Sequence, residues 1–223
     1  MSGAIGIDLE QFGKQIGKAV DQKRKIVFFL GAGCSWPVIP LARDIVNDLR
    51  KTWSVGENPL LSFEQLNYEF DVTRLLETNS DRQEHFRTLC KDATPTKPQT
   101  EFVKLIRTLR VPLVLTTNFD SLLERELGKA DIDHEVCNLG GGQPVDLRGM
   151  LAEAEAEGRL LVVKLLGSVK GKTVHFNMQN GGEVGKALAA SLQATTRMVV
   201  AGYSGAESGV ADMFSTLFFG DRA

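Results

Sequence analysis

Four short apolar runs, each followed by glycine or small polar residues, dominate the hydrophobic pattern of this chain. The runs span residues 26–30 (IVFFL), 112–117 (PLVLTT), 160–166 (LLVVKLL) and 197–201 (RMVVA). Continuous apolar runs of this length, rich in β-branched residues, are typical of strands covered on both faces of a sheet. The pattern therefore predicts four buried strands, with a weaker fifth candidate at residues 132–137.

Stretches with helical spacing of apolar residues separate these runs. They predict helices over residues 7–22, 41–51, 62–91 (two helices broken near Asn79), 96–109, 121–128 and 183–195. Strands that alternate with helices imply a Rossmann-like α/β fold, with a mainly parallel sheet and helices on both faces. We expect a single domain over residues 1–223, with a helical insertion at about 41–109 between the first two strands.

Composition and charge narrow the range of ligands. The net charge of the 223 residues is -2, and the basic residues are scattered, which argues against nucleic acid and anionic membranes as partners. Cys34, Cys90 and Cys137 form no CxxC pair, so we expect no metal, no zinc-binding small domain and no disulfide framework. No apolar run approaches the roughly 20 residues that a bilayer requires. The pattern favours a cytoplasmic protein with a small-molecule ligand.

The first strong strand runs into the glycine-rich sequence GAGCS. Gly31 and Gly33 allow a sharp turn and close approach to a phosphate, to which backbone N–H groups and the Ser35 hydroxyl can donate. The alternative is a tight turn without a ligand. The third glycine of the dinucleotide fingerprint GxGxxG is replaced by Trp36, and no Gly-Lys-Ser/Thr follows, so an ordinary dehydrogenase and a P-loop are both excluded.

Polar residues also follow the other strong strands. Because the carboxyl ends of parallel strands lie along one side of a sheet, we expect all four of these segments to gather there. Asn118 and Asp120 follow the second, where they either reach a ligand or cap the helix at 121–128. Ser204, after the last strand, either contacts a nucleoside or belongs to a plain turn. Of the three histidines, only His175 is placed to reach the same edge of the sheet as a general base.

Taken in order, GAGCS, then Ile39-Pro40-Leu41, TTNFD, KLLGS and GYS resemble the Sir2-like (sirtuin-related) NAD-binding superfamily. The match spans nearly the whole chain and looks closest to the SIR2-like domains of bacterial antiphage defence proteins, which degrade NAD. The resemblance implies the catalytic residues Asn118 and Asp120 at the reacting end of NAD. The cofactor-binding residues that it implies are Gly31, Ala32, Gly33 and Ser35 at the phosphates, Gly202 and Ser204 at the adenosine, and Pro40, Thr117, Gly167 and Ser168.

Two departures from the family pattern bear on activity. The four-cysteine zinc module of the protein deacylases has no counterpart, which argues against deacylation. The family's catalytic histidine lies in a KxHG-type motif, and Leu166 stands in its place here. Three interpretations are open: another base, such as His175 or a residue of a partner subunit, replaces it; the domain binds nucleotides without catalysis; or Leu166 is an introduced inactivating change.

These observations lead to a functional hypothesis with alternatives. The first is an NAD⁺ glycohydrolase that releases nicotinamide, in a bacterial defence-type protein. The second is an inactive domain that binds or senses NAD or ADP-ribose, and the third is a scaffold for self-assembly. We expect a homo-oligomer or further domains of a longer chain as partners. Two interpretations exist for Phe214, Leu217, Phe218 and Phe219: they pack a C-terminal helix onto the sheet, or they face such a partner.

Overall fold

The apolar runs form five strands in the computed structural model, which describes residues 9–52, 72–139, 146–171, 174–175, 178, 180–192, 196–205 and 207–220. The strands are β1 (Ile26–Leu30), β2 (Leu113–Thr116), β3 (His134–Asn138), β4 (Leu160–Lys164) and β5 (Arg197–Ala201). All four strong strand predictions are confirmed, and so is the weaker fifth. Every residue of β1, β2 and β4 is buried, as their continuous apolar sequences predict.

Eight α-helices with both ends described accompany the strands, and residues 72–75 are also helical. The eight helices are α1 (Leu9–Asp21), α2 (Ala42–Thr52), α3 (Asn79–Cys90), α4 (Lys97–Leu109), α5 (Leu122–Lys129), α6 (Leu147–Ala156), α7 (Gly181–Ser191) and α8 (Ser208–Phe219). Helix α3 starts at Asn79, where the sequence predicted a break. It starts there because the Thr78 side chain accepts a hydrogen bond from the Asp81 N–H and caps the helix. The part of the 62–91 prediction before residue 72 lies outside the described residues.

Helix α6 is the element that the sequence analysis did not predict. Two features indicate this helix. Asp146 caps it by accepting a hydrogen bond from the Gly149 N–H, and Leu147, Leu151 and Ala154 repeat at helical spacing. These three residues are buried against the sheet. Because the helix is only 10 residues long and rich in exposed Glu, its apolar stripe is narrow in the sequence.

The five strands are all parallel, in the order β3-β4-β2-β1-β5. The two faces of the sheet carry separate apolar clusters. Val27 and Phe29 of β1 face α6, α7 and α8, whereas Ile26, Phe28 and Leu30 face α1, α4 and α5. Strand residues alternate between faces, so each strand contributes to both clusters. The protein therefore has the expected Rossmann-like α/β fold, with helices on both faces.

The described elements between β1 and β2 are all helical. Helices α2 and α3 share a third apolar cluster with Val169 and Val174, which follow β4, and α4 packs on the sheet. This is the place of the expected helical insertion. Helix α8 partly buries Phe214 and Leu217 against the sheet, but Phe218 and Phe219 are exposed. Within the described ranges, no helix has the length and apolar character to cross a membrane.

Candidate functional site

The carboxyl ends of four strands meet at one edge of the sheet. Leu30 pairs with both Thr116 and Ala201, and Thr116 pairs with Lys164. The loops that follow these four residues carry the motifs singled out above, so their predicted meeting is confirmed. The helices that pack on the sheet after β1 and β2 are α4 and α5, on one face, whereas those that follow β4 and β5 are α7 and α8, on the opposite face. Such a reversal opens a crevice at the carboxyl ends of the strands, and we call this edge the rim.

The GAGCS turn uses its backbone N–H groups within the protein. The N–H of Gly31 donates to the Ala201 carbonyl (2.9 Å) and that of Gly33 to the Gly202 carbonyl (2.8 Å). The N–H groups of Cys34 and Ser35 donate within the turn itself. A phosphate at this turn would therefore have to compete with existing hydrogen bonds, and the predicted phosphate contacts stay a prediction.

The glycines of the turn are required by a close approach between two loops. A Cβ atom on Gly31 would lie 2.6 Å from the Gly202 carbonyl oxygen, and one on Gly33 would lie 2.9 Å from the Gly202 Cα. Gly202 itself has a φ of +65°, which favours glycine, and a Cβ there would lie 2.6 Å from the Cys34 nitrogen. The turn after β1 and the turn after β5 are thus packed backbone to backbone.

The Ser35 hydroxyl is the centre of a buried hydrogen-bond network. It donates to Asp120 Oδ2 (2.8 Å) and accepts from Asn118 Nδ2 (2.9 Å) and from Gln99 Nε2 (3.0 Å). A hydroxyl has one donor and two acceptor positions, so all of its capacity is used within the protein. The sequence-predicted residues Ser35, Asn118 and Asp120 are therefore in direct contact, across 83 and 85 positions of the chain.

The network fixes the orientation of the Asn118 amide. Because the Ser35 proton is directed at Asp120, the hydroxyl can only accept from Asn118, and the amide nitrogen must face it. The other amide atom, Asn118 Oδ1, is buried and has no hydrogen-bond partner among the described residues. Buried polar atoms normally have partners, so this acceptor is a candidate contact for a ligand.

Asp120 holds the loop after β2 in place. Its Oδ1 accepts from the Leu122 N–H (2.9 Å) at the start of α5, so the helix-capping interpretation holds for this carboxylate. Asn118, in contrast, binds Ser35. Lys164, at the end of β4, is buried and donates to the Asp120 carbonyl and to Glu124 Oε1, the latter at 2.7 Å. The carboxylate is thus part of the framework of the site as well as a neighbour of Asn118.

Three residues of this framework were missed by the sequence analysis. Thr96 and Gln99 form the capping box of α4, and they also reach the turn after β1, where the Thr96 hydroxyl donates to the Cys34 carbonyl (2.6 Å). The pair Thr-x-x-Gln before an apolar stretch was the available signal. For Lys164, the signal was a charged residue inside the apolar run LLVVKLL, because a lysine in a buried strand needs a partner.

The segment after β4 places His175 opposite Leu166. Gly167, with a φ of +85°, pairs with Val174 in an antiparallel bridge, and the His175 N–H donates to the Leu166 carbonyl (2.8 Å). Leu166 is buried in the apolar cluster with α6, α7 and α8. Ser168 is buried, and its hydroxyl oxygen accepts from the Lys170 N–H.

Helix α3 holds two loops of the rim. The Gln83 side chain donates to the Gly171 carbonyl (2.8 Å), and the Arg87 Nε donates to the Val169 carbonyl (3.2 Å). The ring of Phe86 packs against Phe119 of the TTNFD sequence, with 4.8 Å between the ring centres. Helix α3 of the helical insertion therefore forms one side of the site.

The other predicted site residues have mixed environments. Thr117 is buried, and its N–H donates to the Leu30 carbonyl (3.2 Å). Pro40 is half-buried in the segment that leads to α2, while Ala32 and Ser204 are exposed. These residues lie in loops of the rim but do not join the network around Ser35.

The cysteine thiols near the site are neutral at physiological pH. Burial raises the pKa of Cys34 to about 11, and burial together with the Asp120 carboxylate raises that of Cys90 to about 12. A nucleophilic thiol needs a lowered pKa, so neither is suited to covalent catalysis. Among the described residues, no cluster of His, Cys, Asp and Glu is arranged to bind a metal ion.

Fold and site together define the class: a Rossmann-like α/β protein with a buried Ser-Asn-Asp network at the carboxyl edge of a parallel sheet. In comparisons with known proteins, no family model and no curated protein matches the chain. The chemistry of the site is therefore interpreted from its own residues.

Proposed function

We propose that this chain binds NAD at the rim and hydrolyses the bond between nicotinamide and ribose. The observation that carries the proposal is the Asn118 amide, whose Nδ2 donates to Ser35 while Oδ1 is buried and has no hydrogen-bond partner among the described residues. An acceptor fixed in this way suits a ribose hydroxyl or a water molecule. In this proposal the chain is the SIR2-like NAD-hydrolysing part of a bacterial defence-type protein, acting in the cytoplasm.

The reaction requires few groups from the protein. Water adds to the C1′ atom of the ribose, the bond to the nicotinamide nitrogen breaks, and neutral nicotinamide leaves with the bonding electron pair. The products are ADP-ribose, nicotinamide and one proton, which a base accepts from the attacking water. Because the transition state resembles an oxocarbenium ion, positioning the water and excluding bulk solvent provide most of the available acceleration. Asn118 would supply the positioning.

His175 is the residue best placed to accept the proton in the absence of the family's histidine. Residues opposite each other in an antiparallel pair project their side chains on the same face, and His175 lies opposite Leu166. The imidazole would thus replace the missing group from the neighbouring chain segment. General-base catalysis contributes about 10²- to 10⁴-fold, so His175→Ala should lower the rate by at least about 10²-fold.

Nicotinamide release from NAD tests the proposal. The wild-type protein should release nicotinamide, and Asn118→Ala should reduce the rate by more than about tenfold, since it removes the positioning acceptor. Asn47→Ala is the matched control, because Asn47 is an exposed asparagine on α2. No release by the wild-type protein, or equal rates for wild type and Asn118→Ala, would contradict NAD hydrolysis.

A second candidate function, binding of NAD or ADP-ribose without reaction, is favoured by two specific observations. Leu166 is part of the apolar core, and the hydrogen-bonding capacity of Ser35 is filled by protein groups. Thermal unfolding separates the two functions. A ligand at 100 times its dissociation constant adds about 2.7 kcal/mol to the free energy of unfolding. A shift with NAD or ADP-ribose and no nicotinamide release would favour the binding function, and no shift with either ligand would exclude both.

A further inference from the structure

Strand β5 is an edge strand of the sheet in the described part of the chain. Two hydrogen bonds establish which of its backbone groups face β1 and which point away from the sheet. The Arg197 N–H donates to the Lys25 carbonyl (2.8 Å), and the Ala201 carbonyl accepts from the Gly31 N–H (2.9 Å). Backbone groups of successive strand residues point to opposite sides. The groups of Arg197 and Ala201 therefore face β1, whereas the N–H and C=O groups of Met198 and Val200 point away from the sheet.

Apolar side chains beside this edge are only partly covered. The Val200 side chain is 50% exposed. On α1, which packs on one face of the sheet next to the edge, Phe12 and Val20 are 38% and 45% exposed. An open strand edge flanked by uncovered apolar side chains is the surface that β-strand addition uses: main-chain hydrogen bonds supply affinity and alternate side chains enter neighbouring pockets.

A groove of about 370 Å³ runs between α1 and β5. Its apolar part includes Phe12, Ile16 and Val199, and its polar part includes Lys18, Arg24 and Arg197. None of the described residues that line the groove is acidic, so every charge that they contribute is positive. Charge complementarity therefore specifies an acidic occupant.

We propose that the β5 edge and the α1–β5 groove bind an extended, acidic segment of a partner protein as an additional strand. Main-chain groups of the segment pair with those of Met198 and Val200, and its acidic side chains face Arg24 and Arg197 in the groove. Its alternate, apolar side chains lie on the other face of the sheet, beside Val200. This surface includes the amino end of β5, whereas the rim lies at the carboxyl ends of the strands. The proposal is thus independent of NAD binding.

Fluorescence anisotropy with labelled peptides tests the charge requirement. The probe is fluorescein-labelled Val-Glu-Val-Glu-Val-Glu, and the comparison peptide is Val-Lys-Val-Lys-Val-Lys. The acidic peptide should bind at least tenfold more tightly, and Arg24→Glu with Arg197→Glu should reverse the preference. Equal binding of the two peptides, or no saturable binding of the acidic peptide, would overturn the proposal.

A proline at the edge tests the strand addition. Val200→Pro removes an N–H that points away from β1 and leaves the β1–β5 hydrogen bonds intact, so it should reduce peptide binding at least tenfold while the protein stays folded by circular dichroism. Val200→Thr, which keeps the N–H, is the control and should bind within twofold of wild type. Unchanged binding by a folded Val200→Pro variant would overturn strand addition.

A complementary measurement does not depend on folding of the proline variant. N-methylation of alternate residues of the acidic peptide blocks its own main-chain donors in one of the two possible registers, and methylation of the other set blocks the second register. With the wild-type protein, at least one of these two peptides should bind tenfold more weakly than the parent. Equal affinity of all three peptides, or a dimer in light scattering that Val200→Pro converts to a monomer, would overturn the proposal.

Discussion

Strands β4 and β5 have similar sequences but different surroundings. β4 (LLVVK) and β5 (RMVVA) each contain a pair of valines within an apolar run. All five residues of β4 are buried between β3, β2 and helices on both faces, whereas β5 pairs with β1 alone among the described elements and none of its residues is fully buried. The comparison shows that position in the sheet, more than composition, sets the environment of an apolar strand.

The charged residues of the two strands differ in the same way. Lys164 is buried at the carboxyl end of β4, where it forms an ion pair with Glu124 and donates a hydrogen bond to the Asp120 carbonyl. Arg197 is exposed at the amino end of β5. Buried polar groups at the centre of the sheet have hydrogen-bond partners within the protein. Backbone groups on the outer side of the edge strand β5 are available to pair with another molecule. We therefore expect substitutions at the centre to affect stability most, and those at the edge to affect binding most.

The largest effect on stability is expected for Lys164→Met. The change leaves the Glu124 carboxylate without its cation in a mostly buried place, so the free energy of unfolding should fall by about 3 kcal/mol. Lys129→Met is the control, since its ion pair with Glu126 is as short (2.6 Å) but Lys129 is 67% exposed, and the change should be below about 1 kcal/mol. Urea denaturation measures both. Equal losses for the two variants would contradict a special role for the buried pair.

Gly31→Ala tests the contact between the centre and the edge. The added Cβ would meet the Gly202 carbonyl at 2.6 Å, so one of the two turns must move and the free energy of unfolding should fall by about 2 kcal/mol. Gly128→Ala in α5 is the matched control, because outside its own helix no atom of the described residues lies within 4 Å of the added Cβ. Alanine there should leave stability unchanged or raise it by up to about 1 kcal/mol. If Gly31→Ala left the free energy of unfolding unchanged, the two turns would have to pack less tightly than the structure indicates.

Threonine substitutions compare the two strands directly. Val162→Thr places a hydroxyl at a fully buried position of β4 and should lower the free energy of unfolding by about 1.5 kcal/mol. Val200→Thr, at the half-exposed position of β5, should change it by less than about 0.5 kcal/mol. Chemical denaturation at pH 7 measures both variants. If Val200→Thr were as destabilising as Val162→Thr, the edge would have to be covered in solution.

The smallest effect is the pH dependence from Cys34. Burial raises the pKa of this thiol from 9.0 to about 11, so the folded state favours the neutral form. The stabilisation is complete below pH 9 and decreases as the pH rises toward 11; the thiol contributes a loss of about 1 kcal/mol between pH 9 and 10. Cys34→Ala should show a smaller decrease than wild type over the same range in urea titrations. An identical decrease in both proteins would exclude this thiol as the source.

The limits of prediction from sequence are clearest at the rim. The meeting of GAGCS and TTNFD follows from two buried strands that run parallel, and the structure confirms it. The partners of Ser35 do not follow from spacing, because Gln99 reaches the hydroxyl across 64 positions of the chain. The Asp120 carboxylate was open to two interpretations, and in the structure it both caps α5 and binds Ser35.

The sequence by itself determined the parallel α/β class, the strands and most of the helices, because apolar period and turn residues are local properties. Only the tertiary structure decided three further features. It places β5 at the edge of the sheet, fills the hydrogen-bonding capacity of the Ser35 hydroxyl with protein groups, and brings His175 opposite Leu166. The physical reason is that strand order and hydrogen-bond partners depend on contacts between residues far apart in the chain, which similar local patterns, such as those of β4 and β5, do not distinguish.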